Sequence, residues 1–344
     1  MDPIVDPFLT PADTIVLRNL LGDIHHAGDS EAKEGSDQAA LTKVIALSDE
    51  TSKDFESTVF TGWDIKDVHI PAIIDHAVVQ PYIRWAQTIM RHKTDVVFLT
   101  HTLLYLATSV PSALYLFYRF TYAHAIFHFI MTGWYCGAFT IMLHNHIHNN
   151  GVLAKEYALF DLFVPYILEP LMGHTWDSYF YHHVKHHHAE GNGPDDLSST
   201  VRYQRDSLPH FLCYVGRFFG LVWIELPSYF IRKGRYGLAA KSTVSELSSY
   251  AFIYVMAARN FRAALFTLIL PLIAMRIGMM VGNWGQHAFV DEEDPDSNFR
   301  SSITLIDIPV SLPLLLLYLP TLTIRRVGRA TDTALTTATT PHTT

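Results

Sequence analysis

The sequence has very little cysteine: Cys136 and Cys213 are the only two in 344 residues, and both sit among apolar neighbours. A disulfide framework and a cysteine metal site are thereby excluded, and the two thiols read as small buried apolar groups. Also missing are an internal repeat, a glycine-rich phosphate loop, a Gly-x-Ser-x-Gly nucleophile elbow and a His-Glu-x-x-His zinc motif. These absences count against nucleotide-phosphate binding, serine-hydrolase and zinc-hydrolase chemistry. The opening "MDPIVDPFLT" has neither a basic start nor an apolar run, so no secretory signal peptide is expected and membrane delivery falls to a later apolar segment. A basic surplus is lacking as well. The net charge is −8, and up to Glu56 the acidic residues outnumber Lys and Arg by 12 to 4. That balance argues against a nucleic-acid partner and makes residues 1–60 an acidic, partly disordered arm.

Formal charge is absent from two long stretches. Val96 to Tyr118 and Thr121 to Leu143 contain no Asp, Glu, Lys or Arg, and each meets the roughly 20-residue apolar length that crosses a bilayer. Only Arg119 and Phe120 join them, which makes a tight helical hairpin whose open ends return to one side. The cluster Arg91, His92, Lys93 marks that side as cytosolic. Residues 61–94 read as an amphipathic approach to the membrane, while the segment from Tyr157 to Gly173 is too short and proline-interrupted for a clear span. The apolar stretch Phe211 to Ile231 is followed by Arg232, Lys233, Arg235 and Lys241, which would lie on the wrong side if it crossed. An interfacial helix is therefore expected there. A second hairpin is expected from Tyr250 to Ala258, turning near Arg259 to Arg262 and returning through Ala263 to Gly282. The fold expected is all-α and polytopic, with two transmembrane helical hairpins.

Nine of the 20 histidines lie between His144 and His188. In "HNHIHNNG", His144 and His148 are four residues apart and face the same way on a helix, with His146 pointing elsewhere. In "YHHVKHHHAEGN", His183, His186 and His187 stand at i, i+3 and i+4, again one helical face. His182 and His188 flank the group, and a His182–His186 pair is an alternative register. Imidazole is the usual neutral ligand of iron, zinc and copper, so two spaced groups without cysteine point to a nitrogen-rich metal site. His124 and His128 share the four-residue spacing, but His128 lies roughly 24 Å of helix before His144 at 1.5 Å per residue, so packing roles are expected. His174 is a candidate neighbour of the ligands or of the substrate.

These motifs make the chain resemble the membrane fatty acid desaturase/hydroxylase superfamily from about residue 95 to about residue 309. His144 and His148 match its first histidine box, and His183, His186 and His187 its second. Asn283 and His287 in "GNWGQHAF" resemble a further ligand pair of acyl-CoA desaturases. The resemblance implies two non-haem irons in a cytosolic, histidine-rich helical cap, O2-dependent oxidation of an acyl lipid, and electrons from a separate donor such as cytochrome b5. It places the protein in the membrane of the endoplasmic reticulum. Desaturation and hydroxylation share these boxes, so both reactions stay open. Asp177, Glu190, Asn192, Asp195 and Asp196 are candidates for orienting the ligands.

A third family box, His-x2-His-His, should follow the last span, yet His342 is the only histidine beyond His287. In relatives the stretch after a segment like "SSITLIDIP" resembles SNRYCFNDGYHTSHH. Ala330 to Thr344 can be encoded so that the neighbouring frame reads that string, because His, Tyr, Asp and Asn codons can end in AC and ACN is threonine. Val310 and Ser311 are compatible with a splice donor, and Arg329 with an acceptor. Residues 310–344 are therefore expected to be an aberrant tail from a retained intron or gene-model error. Such a chain would have lost its third box, and a non-catalytic membrane protein is the alternative outside enzymology.

Overall fold

The computed structural model describes residues 11–25, 30–49, 51–53, 55, 59 and 70–287. The stretch 310–344, where the frame-shifted tail is expected, lies outside them. Among the described residues every regular element is helical, apart from a single antiparallel bridge between Met90 and Leu153. The described residues divide into two compact units, 11–101 with 152–157 and 102–151 with 158–287.

In the first unit, α1 (Pro11–His25) and α2 (Ser30–Ser48) occupy the acidic arm, where Asn19 Nδ2 donates to Asp37 Oδ1 at 2.7 Å. A π-helical turn, Asp75–Val79, then leads into α3 (Gln80–Ile89). That helix is amphipathic: Ile83 and Ala86 are buried while Trp85 is exposed. The Arg91 amide donates to the Val152 carbonyl and the Ala154 amide to that of Ile89, which fastens the end of α3 to residues 152–154. The start of α4 (Val96–Ala107) is buried through Val96 to Leu99.

In the second unit, α5 (Ser109–Tyr118) is followed after a three-residue turn by α6 (Tyr122–Asn149). Thr121 caps α6 by accepting from the His124 amide at 3.3 Å, and left-handed Asn150 (φ 53°) followed by Gly151 (φ 113°) ends it. The exposed face of α6 is apolar, unlike that of a soluble helix. Phe127, Ile130 and Trp134 form an exposed apolar stripe, whereas His128, Thr132 and Tyr135 on the other side are buried. A face of that kind suits hydrocarbon as solvent. Within the seam Ser112 Oγ contacts His124 Nε2 at 2.8 Å and His128 Nδ1 at 2.9 Å, so these two histidines serve the packing of α5 on α6.

The proline-containing α7 (Ala158–Leu171) precedes a π-helical segment, Phe180–His187. After it come α8 (Leu208–Arg232), α9 (Tyr236–Arg259) and α10 (Phe261–Gln286), the last capped by Asn260 Oδ1 on the Ala263 amide. Among the described residues, four helices are long and apolar enough to cross a membrane: Lys93–Tyr118, Tyr122–Asn149, Leu208–Arg232 and Phe261–Gln286. Sequence reasoning placed the third on the surface, and its contacts agree with that: Tyr214 near one end donates to the Ser198 carbonyl and Tyr229 near the other to Glu190, so both ends lie at the histidine end. Residues 250–258, where the second hairpin was expected to begin, belong to α9, which also carries Lys241 and Glu246.

Leu116, Ala125 and Ala263 share one buried cluster, with Phe120 and Phe266 against it. The turn after α5 and the turn before α10 therefore meet, so the far ends of α6 and α10 reach the opposite end of the unit. Gly173 makes a second close approach there. Its φ is +82°, and a Cβ would stand 2.3 Å from the Pro271 carbonyl oxygen and 2.7 Å from Met275 Cβ. A Gly173→Ala chain is expected to lose stability by about 2–4 kcal/mol, from backbone strain and overpacking together. A thermal melt in detergent unchanged from the wild type would contradict this.

Candidate metal centre

Among the described residues, two groups hold side chains within ligating reach of each other. His144, His148, His183 and His188 form the first, and His182, His186 and Asp196 the second, with the potential ligand atoms inside 4.8 Å in each group. The first joins the last turns of α6 to the π-helical segment. Ring centroids are 4.5 Å apart for His144–His148, 4.8 Å for His144–His183 and 4.8 Å for His148–His188. His183 Nε2 and His188 Nε2 are 3.0 Å apart. Tyr179 stacks on the His183 ring at 4.9 Å.

The π geometry explains which histidines meet. An i→i+5 backbone pattern widens the turn beyond 3.6 residues, so residues five apart fall into line. His188 joins His183 for that reason, while His186 turns to the other side. Of the i, i+3, i+4 face expected for His183, His186 and His187, His183 and His187 stay adjacent and His186 does not. His186 is fully buried, its Nε2 accepts the Leu197 amide at 2.9 Å, and it stacks edge-on with Tyr229. His187 lies between the groups, its ring 5.5 Å from His183 and 5.7 Å from His287.

Asp196 is the anchor of this side. Fully buried, it takes His187 Nδ1 at 2.6 Å and the amides of Asn192 and Ser198 at 3.1 and 2.8 Å. Burial opposes its ionisation, but the contacts with His186 and His187 outweigh that and hold the carboxyl below its usual range. A carboxylate on Nδ1 directs the Nε2 lone pair of His187 outward, the arrangement that orients ligating histidines. Asn192 secures the loop, its Oδ1 accepting the Thr200 amide, while Thr200 donates to the His287 carbonyl at 3.0 Å. Asn283 Nδ2 donates to the Ser198 carbonyl at 2.9 Å and to the Tyr214 hydroxyl at 2.7 Å. Three other candidate orienting residues have different partners: Asp177 accepts from Tyr166, Glu190 from Tyr229, and Asp195 pairs with Lys233. His146 contacts the Asp161 carbonyl at 3.0 Å.

The donor set fits a metal ion. His148 Nε2, His182 Nε2 and His186 Nδ1 are buried without a hydrogen-bond partner in the protein, an expensive state that ligation would relieve. Burial, with neighbouring histidines, pushes His183 well below its ordinary pKa, and His182 to about 3. Both rings are thus neutral and competent to ligate at pH 7.

Beside the histidines lies a cavity of about 890 Å³ of empty space, part of it open to solvent. His182, His183, His187 and Asn283 face it, as do the apolar side chains of Phe218, Val222, Leu226 and Met279. Comparisons of the chain with protein-family models, curated proteins and solved structures return no match.

Proposed function

We propose that this chain derives from an iron-dependent membrane oxidase that desaturates an acyl lipid with O2. The observation that carries the reading is the meeting of His144 and His148 from the end of α6 with His183 of the π-helical segment and His188 just after it, beside a largely apolar cavity. Lys93–Tyr118 and Tyr122–Asn149 would cross the membrane as one pair and α9 with α10 as the other, with the histidine end cytosolic because Arg91 and Lys93 stand at the start of the first span. Such proteins would reside in the endoplasmic reticulum.

Two irons, when bound, supply the activation of O2 and the oxidation of an unactivated C–H bond. The residues supply the rest. His144, His148, His183 and His188 would hold one iron, and His186, His187, Asn283 and His287 would contribute to the second, which the missing third box leaves incomplete. Asp196 orients His187, and the apolar wall from α8 and α10 would lay the acyl chain along the cavity and keep water from it. Electrons would come from a separate donor such as cytochrome b5.

Iron content and lipid products test the reading together. The chain as it stands is expected to hold fewer than two irons, and a chain whose frame is restored after Pro309 two irons and an added double bond in cellular lipids. Absence of iron from both forms would overturn the proposal, and a hydroxylated product would redirect it.

A further inference from the structure

The cavity wall carries a charged pair away from the histidines. Glu246 of α9 and Arg276 of α10 are in contact, with side chains only 7% and 13% exposed. Thr175 Oγ1 and Ser178 Oγ donate to Glu246 Oε2 at 2.7 and 2.6 Å, and the Tyr250 hydroxyl and the Arg276 guanidinium donate to Oε1. A carboxylate offers about four lone-pair sites, so three hydroxyls leave one for Arg276, whose guanidinium has five N–H groups. Most of its donor capacity is not taken up by Glu246. The guanidinium is also held over the Phe219 and Tyr250 rings at 5.8 and 5.6 Å. Thr175, Ser178, Glu246 and Arg276 all line the cavity.

A buried ion pair is seldom needed for stability, because apolar residues of equal volume usually serve as well. Here the pair places a fixed charged donor in the cavity wall. Its net charge is zero, so an anion attracted by Arg276 meets the carboxylate beside it, whereas a neutral acceptor gains a charge-assisted hydrogen bond without that repulsion.

We propose that Arg276 binds a neutral carbonyl oxygen of the lipid, an amide or ester, with Glu246 as the positioning residue that compensates its charge. The proposal rests on the acyl-lipid reading of the same cavity and adds what the cavity recognises. Arg276 and Asn283 both face it seven residues apart on α10, about 10 Å of helix rise. Anchoring the carbonyl at Arg276 therefore sets the length of chain that reaches the histidine end.

The test is competition binding on the purified full chain in detergent, with iron chelated, using a fluorescent acyl probe displaced by a primary fatty amide, an alkane of equal length, or the corresponding fatty acid at pH 8. The wild type is expected to bind the amide on the order of tenfold or more tightly than the alkane, the scale of one hydrogen bond to a charged group. The charge-neutral Glu246→Leu/Arg276→Met chain should reduce that ratio to near one. Equal binding of amide and alkane by the wild type, a preference that survives in the double variant, or a carboxylate that outcompetes the amide would overturn it. The wild-type comparison stands even if the variant fails to fold. Because no iron takes part, an iron-free or inactive protein leaves the result readable, and an active one lacking the preference sinks this proposal alone.

Discussion

A His183→Ala chain is expected to bind iron at least 100-fold more weakly than the wild type. His183 is the hub of the four-histidine group: its ring lies 4.8 Å from His144, 5.3 Å from His148 and 4.4 Å from His188. Removing it takes away a ligand and separates the α6 pair from His188. An orienting residue has a smaller effect, since outer-shell partners of ligating histidines contribute roughly 10–100-fold. Asp196→Asn should fall in that range, because Asp196 fixes His187 without belonging to the four-histidine group. The π geometry sharpens the comparison. His188→Ala should weaken the tighter site more than His186→Ala, whose Nε2 is engaged by the Leu197 amide. His146→Ala, turned toward the Asp161 carbonyl, should match the wild type. Titration with iron(II) against a competing chelator reads all five. Equal losses in His183→Ala and His146→Ala would remove the four-histidine group as a metal site.

The contrast between His188 and His186 also shows where sequence reasoning stops. His144 and His148 are four apart on an ordinary α-helix, and the structure holds their rings 4.5 Å apart. The second group was read with the same 3.6-residue turn, but Phe180–His187 is π-helical, and nothing in a string of histidines announces the wider turn. The apolar runs around Arg119 were legible because length and lack of charge alone define a candidate span. Leu208–Arg232 was less so. The basic residues after Ile231 favoured an interfacial reading, while helix length and hydropathy make the segment a candidate span. Glu246 and Arg276, 30 residues apart on different helices, had no local signal at all. Only the packing of α9 on α10 makes them partners. Asp196 was one of five acidic or amide candidates, and its burial under two imidazoles is a tertiary fact.

The metal-free protein is expected to lose stability steeply between pH 6.5 and pH 4. His174 is 8% exposed and contacts Thr140 Oγ1 at 3.1 Å. Burial, and secondarily the charge of Arg276, lower its pKa to about 4, while burial and the neighbouring His186 lower His182 to about 3. In the unfolded chain both titrate near 6.5. Above that value neither state binds the protons, and the two histidines leave stability unchanged with pH. Below it the unfolded chain takes up two protons that the native chain refuses, so stability falls by about 2.7 kcal/mol per pH unit from these two residues. The loss levels off only as the folded-state values near 4 and 3 are reached. Glu246 acts lower and by the opposite route. Burial works against its charge, but Arg276 and the hydroxyls of Ser178, Tyr250 and Thr175 more than offset this and hold its pKa below the ordinary carboxylate value. Its stabilising effect is complete above the unfolded-state value near 4.3 and disappears as pH falls through the lower folded-state value. Denaturation midpoints of chelator-treated protein in detergent, measured from pH 7.5 to pH 5, isolate the histidine part. A His174→Gln chain should show a slope smaller by about 1.4 kcal/mol per pH unit, the share of one histidine. A midpoint that stays level across the range would mean that these imidazoles are solvated in the native state, and the packed histidine end described here would be wrong.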